Sequence, residues 1–438
     1  MSKKLELLLP AGNFEKMKYA IAYGADAVYA GVPMFSLRAR ENQFTWESLE
    51  EAVTYCHERG KKIYFTANIY AHNMKIKPFM KAFERMNSMK PDAYIMSDPG
   101  LINLVRQQYP DAEIHLSVQA NNTNWAQVKF WQQIGVKRII LSRELSLREI
   151  QEIHTECPDM EIEFFVHGSI CMAYSGRCLL SNYFAHRDPN QGTCAHSCRW
   201  EYKVFQKDAT ADELYDSTGR PEDYKELTGE FYLEERERKG EMLPIDEDEY
   251  GTYIMNSRDM CLLGYLKELM EAGVISFKVE GRSKTINYLA GVGRAYRTAI
   301  DAIERGESYD DVALSKEIFA ISNRGYTPGF LVGDPGAKGI YYEKNAELKE
   351  EDYLGMVKSY DATTGLARLV VKNRFDVGDT LRVISPTDAV EMVVQNIQNE
   401  VGESLVSAHG GSFDVWIALP KDMGEYAILR KASAGMPE

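Results

Sequence analysis

The sequence predicts a (β/α)8 TIM-like barrel, regular or distorted, with a small all-β barrel appended at its C-terminus. Three observations lead there. Strand-length apolar runs alternate with amphipathic, helix-length stretches over about 300 residues, the span of an eight-unit barrel. After Thr327 the pattern changes to short β-like runs separated by turn residues. The chain has 438 residues, 45% of them hydrophobic, enough for one large core and a smaller one.

The units follow in order. Residues 5–9, 26–31 and 62–68 read as strands, with helices over 14–23, 46–59 and 76–89. Residues 93–96 form the fourth strand, and its helix opens at Asp98 with Pro99 in the first turn. Residues 114–118 precede a helix over 124–134, and 138–141 precede one opened by a Ser146–Glu149 capping box. Residues 161–166 make the seventh strand. The eighth, 276–279, follows a long interruption and leads to a helix over 287–304. A segment at 252–256 is expected to pair locally. No Gly-x-Gly-x-x-Gly follows the first strand, so a dinucleotide fold has no local support.

The first domain thus spans 1–327. Pro328-Gly329, Gly333-Asp-Pro-Gly336 and Lys338-Gly339 mark a linker over 328–350. β-like runs at 353–357, 366–372, 379–384, 389–397, 403–406, 414–418 and 426–429 make a second domain over 351–438. It is expected to fold as a separate unit.

The net charge of −14 argues at first against nucleic acid, but it is unevenly placed. Residues 208–249 hold 16 acidic and 5 basic side chains, a net −11, leaving −3 for the rest. This insertion reads as a solvated loop, and without it a local basic surface is compatible with the sequence. The apolar run before Pro10 is too short for a signal core, and no stretch is long enough to cross a membrane. A cytoplasmic protein is expected.

Of seven cysteines, Cys56, Cys157 and Cys261 fall in stretches read as helical and are expected to be buried free thiols. The other four lie within 28 residues, spaced C-x6-C-x15-C-x3-C: Cys171, Cys178, Cys194 and Cys198. In a reducing compartment such a group points to a metal. The gaps suit paired zinc knuckles poorly and the scattered loop ligands of an iron–sulfur cluster better, with zinc the alternative and unligated thiols a third reading. Cys171 lies just past the seventh strand, at the face where such barrels carry active sites.

The segment from Glu163 through Cys171-Met-Ala-Tyr-Ser-Gly176-Arg-Cys178 to Ser181 resembles the signature of the collagenase-like peptidase family. Asp188-Pro-Asn-Gln-Gly-Thr-Cys194-Ala-His-Ser-Cys198, Leu9-Pro-Ala-Gly12, His115-Leu-Ser-Val-Gln-Ala-Asn121 and Lys278-Val-Glu-Gly-Arg282 are similar to its tRNA hydroxylation branch. The resemblance covers nearly the whole chain. It implies prephenate-dependent, oxygen-independent 5-hydroxylation of the wobble uridine of tRNA, giving the precursor of 5-oxyacetyluridine-type modifications. It also implies a 4Fe–4S cluster held by Cys171, Cys178, Cys194 and Cys198. The family name carries the competing reading of a peptidase, but neither His-Glu-x-x-His nor Gly-x-Ser-x-Gly is present. A non-catalytic RNA-binding protein would leave the cysteines unexplained.

Prephenate as co-substrate is a dianion, and arginine forks suit carboxylates. Arg143 and Arg282, just past strand ends, are candidates to bind it, with Arg38 and Arg40 behind them. Gln119, Asn121 and Asn122, after the fifth strand, could read a base edge or fix their own loop. His167 is a candidate proton donor or cluster neighbour, with satisfaction by the backbone as the alternative, and Glu280 a candidate base or a partner of Arg282. For tRNA, His186, Arg187, Arg199 and Lys203 could meet phosphate. Tyr174, Tyr183, Phe184, Trp200 and Tyr202 could stack on a base or keep the cluster dry. The C-terminal domain is expected to help bind tRNA.

Overall fold

A computed structural model describes residues 4–37, 43–171, 173–199, 205–207, 224–226, 231–234, 242–248, 251–253, 257–335, 339, 350–411 and 413–432. Eight parallel strands close into a barrel: β1 (Glu6–Ala11), β2 (Ala27–Gly31), β3 (Lys62–Thr66), β4 (Ala93–Met96), β5 (Ile114–Leu116), β6 (Arg138–Ile140), β7 (Glu161–Ser169) and β8 (Val274–Val279). β8 pairs with both β1 and β7, which completes the ring.

The helices start where side chains cap them. Asn13 caps α1 (Phe14–Ala22), and Thr45 with Ser48 forms a capping box for α2 (Trp46–Glu58). After α3 (Asn73–Ser88), Asp98 accepts from Gly100 and Leu101 ahead of α4 (Pro99–Gln108). Asn124 caps α5 (Trp125–Gln133), and the Ser146–Glu149 box opens α6 (Leu147–Glu156) as the spacing predicts. A short α7 (Leu180–Ala185) lies in the cysteine loop, and α8 (Leu266–Glu271) precedes β8. Thr285 caps α9 (Ile286–Glu304), whose side chains are mostly buried, and α10 (Asp311–Phe319) follows. None of these helices is long and apolar enough to cross a membrane.

The outward residues of β7, Ile162, Phe164 and Val166, are apolar and buried. Its inward Glu163 meets charged side chains of the neighbouring strands. Arg138 Nη1 lies 2.5 Å from Glu6 Oε1 and 3.3 Å from Glu163 Oε2, and Lys278 Nζ lies 2.6 Å from Glu163 Oε1. Tyr64 and Ser276 hydroxyls donate to Glu6 at 2.6 and 2.7 Å. Burial alone would raise the Glu6 carboxyl, but Arg138 and these hydroxyls hold it below its usual range. The barrel therefore contains an ionic column, with Glu161 also pairing with Arg138 at 3.0 Å, in place of an all-apolar core.

Two features depart from expectation. The strand Asp259–Cys261 pairs antiparallel with the end of β7, and Tyr326–Thr327 adds parallel to it. Cys261 thus lies in a strand rather than a helix, because a three-residue strand gives no periodicity to read. Of the segment expected at 252–256, Gly251–Tyr253 pairs antiparallel with Asp246–Asp248; the remainder lies outside the described residues. The region read as linker packs in part on the barrel: Leu331 is buried and its carbonyl accepts from Leu147 N at 3.0 Å.

The C-terminal domain is an eight-stranded antiparallel sheet. Its edges are Ala389–Val393 and Ser404–Leu405, and no pairing joins them among the described residues, so the appended all-β barrel is a half-barrel. Nor does it stand apart. Met356, Ile384 and Ile428 share a buried cluster with Tyr19 and Tyr23 of α1 and Ile286 and Ala290 of α9. Arg430, fully buried, donates through Nε to Asn287 Oδ1 at 2.7 Å and meets Glu351 at 3.3 Å. The two domains thus share a buried core.

Candidate functional site

The loops after the barrel strands form one mouth. Gln119, Arg143, Glu280 and Arg282, all chosen for their positions past strand ends, line a single cavity of about 90 Å³ there. Cys171 and Lys278 line it too.

Each cation is held differently. The two terminal nitrogens of Arg282, a buried residue, donate to Ser36 Oγ and the Leu37 carbonyl, fixing the loop after β2. Arg143 stacks its guanidinium 3.9 Å from the Phe165 ring centroid and donates from Nη1 to the Ser169 carbonyl. Its buried Nε has no protein partner. Lys278 is fully enclosed, with its ammonium 4.4 Å over the Tyr29 ring. Burial pulls its pKa down, and Glu163 offsets that only in part. Sequence reasoning missed Lys278, although it sits two residues before Glu280, on the same face of β8.

His167 does not reach this cavity. Across β7 and β8, Phe165 is opposite Lys278 but His167 is opposite Val279, a one-residue irregularity in register. That slip turns His167 to the outer, helix-facing side. There it is fully buried against Tyr288, Tyr296 and Tyr326, with Nδ1 3.3 Å from the Tyr296 hydroxyl. Burial pushes its pKa down to about 3. A role in donating protons to a substrate in the mouth is corrected to a structural one.

Asn121 adopts a left-handed conformation at φ 56° and accepts from Ser142 Oγ at 3.1 Å, so it fixes its loop and does not line the cavity. Asn122 is buried beside it.

The cysteine loop is tied to the mouth by its own polar contacts. Lys75 Nζ donates to Gln191 Oε1 at 2.8 Å, and Tyr70 N to the Asn190 carbonyl at 3.3 Å. Gly176, at φ +76°, passes so close to the Gln119 carbonyl that a Cβ would lie 2.2 Å from it. Cys171 is exposed, and Cys178, Cys194 and Cys198 are half-buried. Burial raises the Cys178 thiol, backbone hydrogen bonds from Leu180 and Ser181 oppose this, and Cys171 and Cys194 add to it, so these three thiols are electrostatic neighbours. Among the described residues no three His, Cys, Asp or Glu side chains are gathered closely enough to hold a single metal ion.

Arg187 donates to the Thr193 and Cys194 carbonyls at 2.9 and 3.2 Å, which makes it a brace of the loop in place of a phosphate contact. His186 is exposed. Tyr174 and Phe184 are 50% and 56% exposed. Arg38, Arg40, Trp200, Tyr202 and Lys203, and the side chains of Tyr183 and Arg199, lie outside the described residues.

Comparison with known proteins adds the lineage. Residues 12–341 match the model of peptidase family U32, and 349–430 that of the peptidase family U32 C-terminal domain. The chain is 44% identical to tRNA hydroxylation protein P of Escherichia coli strain K12, over 99% of this chain and 98% of that one. It is 42% identical to tRNA hydroxylation protein P of Haemophilus influenzae, over 98% and 96%. A collagenase of Porphyromonas gingivalis is 28% identical over 90% and 89%.

Proposed function

The chain belongs to peptidase family U32, and we propose that within it this protein hydroxylates tRNA rather than cutting peptides. One observation carries this reading: 44% identity along 99% of the chain to a protein named for tRNA hydroxylation. In finer terms, the reaction is 5-hydroxylation of the wobble uridine, oxygen-independent and with prephenate as co-substrate. The cation-lined mouth supports it, since a dianion needs such donors.

In this reading Cys171, Cys178, Cys194 and Cys198 hold a 4Fe–4S cluster, which when bound supplies one-electron or Lewis-acid chemistry. Zinc is the alternative. Arg143 binds a co-substrate carboxylate, and Arg282 holds the loop after β2 over the cavity. Glu280, in the same cavity, is the carboxylate placed to take or return a proton. Tyr174 and Phe184, both exposed in the cysteine loop, are the rings that would meet an unstacked base.

The peptidase reading has less support. A Cys171 nucleophile would need a base, and His167 is turned away against Tyr296. The test is mass spectrometry of tRNA nucleosides from cells lacking this protein and any oxygen-dependent alternative. 5-Hydroxyuridine derivatives should vanish and return with the gene. Persistence of the modification when prephenate synthesis is blocked would reject the donor. Peptide cleavage lost in Cys171→Ala would restore the peptidase reading.

A further inference from the structure

The geometry points to Lys278 as a further substrate-contacting residue: its ammonium, at the floor of the mouth cavity, takes a carboxylate oxygen of the small anion that enters there. The inference rests on the co-substrate reading above.

An ammonium has three N–H donors. Lys278 uses one on Glu163 Oε1 at 2.6 Å. Its other close neighbours are the faces of Tyr29 and Phe165, 4.4 and 5.5 Å away, which attract the charge but supply no oxygen acceptor. Two donors of a fully enclosed cation are thus left without a protein oxygen among the described residues, and the side chain lines the cavity. Arg143 repeats the situation in the same cavity, with a buried Nε that also has no partner. Both cationic side chains line one small space, and a carboxylate entering it can pair with both.

The column beneath explains why Lys278 can serve. Glu163 shares its second oxygen with Arg138 at 3.3 Å, and Arg138 pairs with Glu6. Glu6, Glu161 and Glu163 share Arg138 below the cavity and Glu163 also holds Lys278, so the ammonium is fixed in place before an anion arrives. Arg282 is a positioning residue here, its terminal nitrogens being engaged by Ser36 and Leu37.

The test is calorimetric titration of the full-length protein with prephenate and, separately, with phenylpyruvate, which carries one carboxylate. Lys278→Met is made together with Glu163→Gln, so that no buried charge is left alone, and melting curves confirm folding. Prephenate binding should weaken roughly tenfold or more in the double variant, as expected when a hydrogen bond to a charged group is lost. Equal binding by wild type and double variant would overturn the role of Lys278 while leaving prephenate in place. Lys278-dependent binding of phenylpyruvate with no binding of prephenate would uphold Lys278 and remove the donor. Failure of the wild type to bind either acid would overturn both. A double variant that fails to fold passes the question to Lys278→Arg, in which a larger cation should alter the preference between the two acids.

Discussion

The Nδ1 of His167 lies 3.3 Å from the Tyr296 hydroxyl, on the outer side of the barrel wall. The same hydroxyl donates to the Val166 carbonyl at 2.8 Å, so it is anchored without the imidazole. Enclosed by three tyrosines, the ring is neutral in the folded chain. Burial lowers its pKa to about 3, with Asp259 and Glu280 opposing and Lys284 reinforcing the shift.

A pH dependence follows. In the unfolded chain the imidazole titrates near 6.5. Between about 6.5 and 3 the unfolded state holds a proton that the folded state lacks, so stability is complete above this window and falls as pH drops through it. Melting temperatures of wild type and His167→Phe at pH 7 and pH 5 measure this. The variant should lose less on acidification. Parallel losses would show that His167 is not the titrating group.

The misreading of His167 shows where sequence stops. Alternation along β7 puts 161, 163, 165 and 167 on one face, and nothing local announces the slip opposite Val279. Register belongs to the pair of strands. The barrel units were legible because caps such as Asn13, Thr45 and Ser146 and the helical periodicity are local. So was the mouth, since residues just past strand ends converge there. Lys278 was missed because a lysine inside a barrel contradicts its usual exposure, and only the position of Glu163 makes it tenable. The appended β barrel was legible from its turn-separated runs, but its half-barrel form was not, because closure depends on long-range pairing.

Arg430 binds the two domains into one body. Replacing it with Met removes the contacts to Asn287, to Glu351 and to Glu317, 4.0 Å from its Nη1, and leaves Glu351 paired with Arg382 alone among the described residues. The cost should be about 3–5 kcal/mol, as for breaking other buried pairs. Urea unfolding followed by fluorescence measures it. A loss under about 1 kcal/mol would mean that the seam is solvated. For the same reason, a chain ending before Glu351 should aggregate, because Tyr19, Tyr23 and Ile286 lose their cover.

The two mouth arginines should fail differently. Arg282→Ala removes two hydrogen bonds from a buried guanidinium to the loop after β2 and should cost about 2–3 kcal/mol of stability. Arg143→Ala loses one carbonyl contact and a stack on Phe165, and should cost about 1 kcal/mol. Both should restore 5-hydroxyuridine poorly in cells lacking the protein, but only Arg282→Ala should improve at lower growth temperature. Equal melting temperatures for the two variants would remove the distinction.

The position of the cysteine loop can be tested apart from its thiols. Gly176 lies between Cys171 and Cys178, and its φ of +76° costs a residue with a side chain about 1–2 kcal/mol. Worse, an added Cβ would sit 2.2 Å from the Gln119 carbonyl, a backbone atom fixed by a hydrogen bond from Tyr70 at 2.6 Å. The loop must therefore move off the β5 side of the mouth, while the barrel core, which Gly176 does not enter, stays intact. After anaerobic purification, Gly176→Ala should keep its circular dichroism and most of its melting temperature yet carry a minor fraction of the wild-type iron and sulfide. Cys171→Ala should carry almost none. Full iron in Gly176→Ala would mean that the loop holds its metal independently of the mouth. Full iron and sulfide in Cys171→Ala would remove that thiol from the ligand set. One zinc and no sulfide in the wild type would replace the cluster altogether, because four thiolates that close on a single ion need no bridging sulfur.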